Sequence, residues 1–198
     1  TELTRAECER HVSLSLGPEK VSDAAWVLIT QQHIRHCDPD TLPALSRSSP
    51  HARFIGPPPV LRQLRKWGFP EDRLVLASEF NWIEVAKELR IIATPAARPG
   101  IERDENGLSS FVGYVLEWRD KRIYHAGATA LKQEVFDALQ ALRPIHTAFL
   151  PVNERNFFRE QSGIVGNMTA REAFGLAREV GFRQVVAMEW DESDANSV

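Results

Sequence analysis

The stretch Trp26-Val27-Leu28-Ile29-Thr30-Gln31-Gln32-His33-Ile34-Arg35-His36-Cys37-Asp38-Pro39-Asp40 decides how this chain is read. An apolar β run, Ala25 to Ile29, delivers its C-terminal end into a knot of polar side chains, which gives way to Pro39 and a helix-like segment. Strand ends are where a rigid scaffold presents binding and catalytic groups. His33 and His36 stand three apart with Gln31, Arg35, Cys37 and Asp38 around them, groups able to bind a metal or move protons. On residue types alone the plainer reading leads: two histidines so spaced are more often polar loop residues than ligands.

Composition bounds the rest. A chain of 198 residues, 43% hydrophobic and 9% aromatic, supports one well-packed domain over 1–198, with residues 1–22 as an N-terminal extension and 192–198 as a frayed tail. With 24 basic and 27 acidic residues the net charge is −3, so neither a nucleic-acid-binding field nor an acidic tail is expected. No apolar run is long enough to span a bilayer, and Thr1 to Gly17 lacks the layout of a secretion signal. The expectation is a cytoplasmic protein that binds neither membrane nor nucleic acid. Cys8 and Cys37 are too few and too isolated for a disulfide framework or a cysteine-based zinc site.

Downstream, Pro39 to Ser48 reads as a helix with Asp38 as its N-cap, and Pro57-Pro58-Pro59 opens a second with Val60, Leu61, Leu64 and Trp67 at helical spacing. Ala52 to Gly56, Arg73 to Ala77, Trp82 to Val85, Leu89 to Thr94, Ser110 to Trp118 and Arg122 to Ala126 read as strands. The last five, with few long helices between them, suggest a largely antiparallel or mixed sheet rather than repeated βαβ units. Thr129 is a possible cap for a helix over Lys132 to Leu142. Thr147 to Val152 is a strand, Thr169-Ala170-Arg171-Glu172 is a capping box, and Gln184 to Met188 is the last strand.

The opening motif resembles the metallo-β-lactamase superfamily, in which a strand ends in Thr-His-x-His-x-Asp-His and supplies the first ligands of a one- or two-metal hydrolytic site. Thr30, His33 and His36 fit that pattern; Gln31 stands where the first His belongs and Arg35 where the Asp belongs. Phe54-Ile55-Gly56-Pro57, Asn153-Glu154-Arg155-Asn156 and Gly163 to Met168 resemble the L-ascorbate-6-phosphate lactonase-like branch. Arg98 takes the place of a His, Ala128 that of the metal-bridging Asp, and Glu189 that of the last His.

The resemblance implies an α/β fold, the αββα sandwich of that superfamily. Only 24 residues precede Ala25, so the usual N-terminal strands are missing, and a homo-oligomer or partner protein is expected over the open sheet edge. A zinc site wants about three protein ligands. Here His33 would serve the first metal alone and His36, with Glu189, the second, while Arg35 and Arg98 bring fixed positive charge.

The expectation is therefore no cofactor, with zinc, iron or manganese on His33, His36 and Glu189 if the site is functional. An Arg35–Glu189 ion pair is expected to replace the cation. Three functions follow. The first is a degenerate family member that has lost hydrolysis and acts as a binding, scaffold or regulatory subunit. The second is an enzyme of altered chemistry on a small anionic or sugar-like molecule. It would use His33, His36 and Glu189 catalytically and Gln31, Arg35, Arg98, Asn153, Arg155 and Asn167 for contact. The third is a metal-dependent hydrolase with non-standard ligands.

Overall fold

A computed structural model describes residues 16–79, 81–153, 155, 157, 161 and 166–190. Cys8, Glu154, Asn156, Gly163 and the tail from Glu192 lie outside them. In chain order the elements are β1 (Trp26–Leu28), α1 (Thr41–Ser48), β2 (Arg53–Gly56), α2 (Pro58–Lys66), β3 (Leu74–Leu76), β4 (Ile83–Ala86), β5 (Leu89–Pro95) and β6 (Val112–Trp118). Then come β7 (Lys121–His125), α3 (Gln133–Ala141), β8 (Thr147–Pro151), α4 (Ala170–Val180) and β9 (Gln184–Met188).

Two sheets form, of three strands in the order β1-β2-β3 and six in the order β4-β5-β6-β7-β8-β9. The smaller is wholly parallel. The larger is antiparallel from β4 to β7 and parallel from β7 to β9. This corrects the sequence reading, which placed the Arg73–Ala77 strand with its antiparallel successors. It pairs instead with β2, because α1 and α2, though only 8 and 9 residues long, suffice as crossovers between parallel strands.

Four layers follow from side-chain alternation. Ile55, Ala77, Ile91, Ala93, Val112 and Tyr114 fill the space between the sheets. Phe54 points the other way, under Leu42 of α1 and Val60, Leu61 and Leu64 of α2. On the far side Val115, Tyr124, Ala148 and Leu150 pack beneath Val135 and Leu139 of α3 and Leu176 and Val180 of α4. The order is helix, sheet, sheet, helix, the αββα arrangement the sequence implied. Burying each large apolar side chain contributes about 1.5–3 kcal/mol. Because three strands face six, Ile123 and Val186 on the larger sheet remain 41% exposed, and β1 is an open edge among the described residues.

Local signals behave as read at several places. Thr169 Oγ1 accepts from Glu172 N–H while the Glu172 carboxylate accepts from Thr169 N–H, and Gly181 closes α4 in the left-handed region. Thr129 does not cap α3, whose N-cap is Lys132. Its hydroxyl instead accepts the Ala97 N–H and donates to the Ala130 carbonyl.

Candidate functional site

The end of β1 is fixed from two sides. Tyr114 on β6 donates its hydroxyl to the Ile29 carbonyl at 2.7 Å, and Val112 N–H donates to the Thr30 carbonyl at 3.0 Å. Burial holds the Tyr114 phenol far above its ordinary range, so it stays a donor. Gly127 allows the close approach. It sits at φ 62°, and a Cβ there would lie 2.9 Å from the Val112 carbonyl and 3.0 Å from Thr30 Cβ.

Beyond Thr30 the chain turns, with His36 and Cys37 N–H both donating to the His33 carbonyl at 2.8 Å. The helix α1 begins at Thr41 with Asp40 as its N-cap, not at Pro39 with Asp38, although the Asp38 carboxylate accepts the N–H groups of Asp40 and Thr41 from just outside it. Arg98 arrives from the end of β5, where Ala97 is bridged to Ala130 and pinned by Thr129.

Glu189 follows β9 at φ 59°, a conformation that costs a non-glycine residue about 1–3 kcal/mol and gathers at functional sites. Asn167 Nδ2 donates to Glu189 Oε2 at 2.9 Å and to Asn153 Oδ1 at 2.6 Å, and His36 Nε2 lies 4.0 Å from Glu189 Oε1. Asn153 and Asn167 are thus buried positioning groups for Glu189. Arg155 is engaged elsewhere, donating to the Asn167 carbonyl at 2.8 Å and pairing with Glu172.

Electrostatics distinguish this cluster. Burial, then the fields of Arg98, His33, Arg35 and His125, pull His36 from 6.5 down to about 3, so its imidazole is neutral at physiological pH. Arg98 is itself pushed below the usual guanidinium range by burial, with Glu189 pulling the other way and Arg35 adding repulsion. The field of Glu189 thus supports the Arg98 charge.

His125 escaped the sequence reading. Strand alternation, with Tyr124 buried among the helices, turns its neighbour His125 toward the site. Its Nδ1 accepts the Gly127 N–H at 3.2 Å, and burial lowers its pKa.

A cleft of about 450 Å³ opens beside these groups. Gln31, His33, Cys37, Gln63, Trp67, Arg98 and Phe111 are among its lining residues. Gln31 is 1% exposed, and neither its amide nitrogen nor its amide oxygen has a hydrogen-bond partner among the described residues. Leaving such a group unpaired costs about 1–3 kcal/mol. Cys37 in the same wall is raised to about 11, by burial first and by Asp38 second, and remains a thiol.

The donor set does not fit a metal. Among the described residues no group of three or more His, Cys, Asp or Glu side chains is placed to hold one. Gln31 and Arg98 bring an amide and a guanidinium to the cleft wall, and Ala128 carries only a methyl, so none of the three is an anionic or imidazole donor. No helix among the described residues is long and apolar enough to cross a membrane.

Known proteins agree on the architecture. An uncharacterized protein of Mycobacterium tuberculosis is 27% identical over 132 residues, 66% of this chain but 34% of that protein, so the chain spans about a third of the length of the curated relatives it matches. A metallo hydrolase from the archaeon Ignicoccus hospitalis superposes with a TM-score of 0.65 at 23% identity, covering 87% of this chain and 66% of its own. The isothiocyanate hydrolase from Delia radicum gut bacteria gives 0.72 at 18% identity, covering 96% and 71%. The diiron β-hydroxylase of Streptomyces venezuelae gives 0.67 at 14% identity, covering 86% and 37%. These neighbours share the metallo-β-lactamase fold and include metal-dependent enzymes. With the model of the β-lactamase superfamily domain matching residues 8–190, the chain belongs to that superfamily.

Proposed function

We propose that this chain is a metal-free member of the superfamily whose inherited pocket holds a small anion, and that it serves as a binding or regulatory subunit rather than a hydrolase. The observation that carries the reading is Arg98, kept in the pocket although burial and Arg35 both work against its charge. A dication at the same place would meet both guanidinium groups in a poorly solvated setting, where repulsion is strong. An anion would be attracted by both.

The neutral His36 supports binding over catalysis. A base with a pKa of about 3 drives proton abstraction poorly at neutral pH, because the most effective general bases titrate near the working pH. Loss of metal also removes the means of lowering the pKa of a water. Within the superfamily we place the chain with the L-ascorbate-6-phosphate lactonase-like branch, on the motifs around Phe54, Asn153 and Asn167.

The test is a thermal-shift series with small carboxylates and phosphates. Anions stabilise the parent and leave Arg98→Ala unmoved if the reading holds. Equal stabilisation of both proteins, or none of either, contradicts it.

A further inference from the structure

The cleft beside the cluster carries more than a charge. Gln31 presents a buried donor and a buried acceptor side by side, both without partners among the described residues, in a wall that also holds Arg98. A folded chain rarely buries a whole amide unpaired, and the exceptions call for an explanation such as a ligand. Trp67 and Phe111 line the same space, the first standing at the C-terminal end of α2. Cys37 contributes a thiol rather than a thiolate, and Arg98 brings a fixed positive charge to the lining.

From this we infer that the cleft takes a flat aromatic monocarboxylate bearing a hydroxyl or amide donor next to the carboxyl group. The inference rests on the metal-free reading above and names the ligand class. The carboxylate pairs with the Arg98 guanidinium and accepts from Gln31 Nε2. The neighbouring donor satisfies Gln31 Oε1. The ring lies against Trp67 and Phe111, whose faces and edges suit an aromatic ligand. A volume of about 450 Å³ falls within the range of small-molecule sites. A single negative charge is preferred to a phosphate dianion because the field of Glu189 already acts on Arg98, and a second ligand charge would be repelled by that carboxylate.

The experiment is calorimetric titration of the full chain with salicylate, benzoate, cyclohexanecarboxylate and inorganic phosphate, on the parent, Gln31→Leu and Arg98→Met. Salicylate binds the parent about tenfold or more tighter than benzoate, which lacks the donor. Cyclohexanecarboxylate and phosphate bind more weakly still. Gln31→Leu keeps the side chain's bulk but removes both unpaired polar atoms. Unliganded, it melts above the parent, yet it loses about tenfold or more in salicylate affinity and no longer separates salicylate from benzoate.

That opposite movement of stability and affinity is what a purely structural glutamine does not give. If Gln31→Leu melts lower and binds salicylate as the parent does, Gln31 is structural and the inference falls. Should that variant fail to fold, Arg98→Met decides, since it must lose salicylate with an unchanged melting temperature. Phosphate binding as tightly as salicylate overturns the ligand class while leaving an anion site standing. Stoichiometric zinc in the parent overturns the metal-free reading itself.

Discussion

Among the described residues, two clusters set a pair of arginines and a glutamate within electrostatic reach of one another, and they are built in opposite ways. On the adjacent strands β5, β6 and β7 of the larger sheet, Arg90 Nε and Arg122 Nε donate to separate oxygens of Glu117 at 2.6 and 2.7 Å. Arg122 also reaches the Leu142 and Arg143 carbonyls, and both guanidinium groups lie over the Trp82 ring. The Arg90 bond leads in holding the Glu117 carboxyl below its usual range.

In the candidate site, Arg98 and Arg35 repel one another, and Glu189 is engaged by Asn167 with His36 near its other oxygen. The first node is closed by side chains and carbonyls, whereas the second stands beside a cleft whose Gln31 amide has no partner among the described residues. A scaffold closes its polar groups, whereas a binding site leaves some to be closed by what it binds.

The largest expected effect is on the finished node. Arg122→Ala removes an ion pair, two carbonyl contacts and a ring contact, and should cost about 2 kcal/mol in urea unfolding without altering anion binding. An undiminished stability would mean that the node is ornamental and the comparison empty.

Acid separates the two nodes next. His36 has a folded pKa of about 3 against 6.5 unfolded, so the unfolded chain takes up the proton first, and stability falls as pH drops below 6.5. Glu117 is also depressed, but its contribution is lost only below its unfolded value of 4.5. Between those values His36 gives a slope of up to about 1.4 kcal/mol per pH unit, and His36→Gln should flatten it. A flat parent curve in that window would remove the electrostatic contrast.

The node beside the cleft should respond little to losing an arginine. Arg98→Ala, without ligand, is expected within about 1 kcal/mol of the parent, or above it, because a desolvated and repelled charge has gone. A loss comparable to that of Arg122→Ala would show that Arg98 is scaffold. The smallest effect is chemical: Cys37, raised to about 11, should react slowly with alkylating agents at pH 8 and faster in urea. Rapid labelling of the native protein at Cys37 would place a thiolate in the cleft wall.

How much of the molecule is legible in its sequence depends on the range of the interactions. The apolar run into Thr30, the capping box at Thr169 and Glu172, and the last strand are readable because each is set by neighbours in sequence. The parallel pairing of β2 with β3 is not, since short helices give no sign of a crossover. Thr129 has the right residue type for a cap, but a contact with Ala97, far along the chain, wins its hydroxyl.

Within the site, Gln31, His33, His36, Arg98 and Glu189 stand out from the sequence, and the structure brings them to one region. Arg155, equally prominent there, is held by Glu172 instead. Trp67 passes in the sequence for an ordinary helix residue, and Phe111 and His125 for ordinary strand residues. Only the packing of α2 and β7 against the turn gives them a place at the cleft or its charged edge.

The central claim is that arginine has displaced the metal. Elemental analysis of protein isolated without chelator from zinc-, iron- and manganese-supplemented medium tests it most directly. The account predicts far less than one equivalent of any of the three; a full equivalent bound at His33, His36 and Glu189 would contradict it.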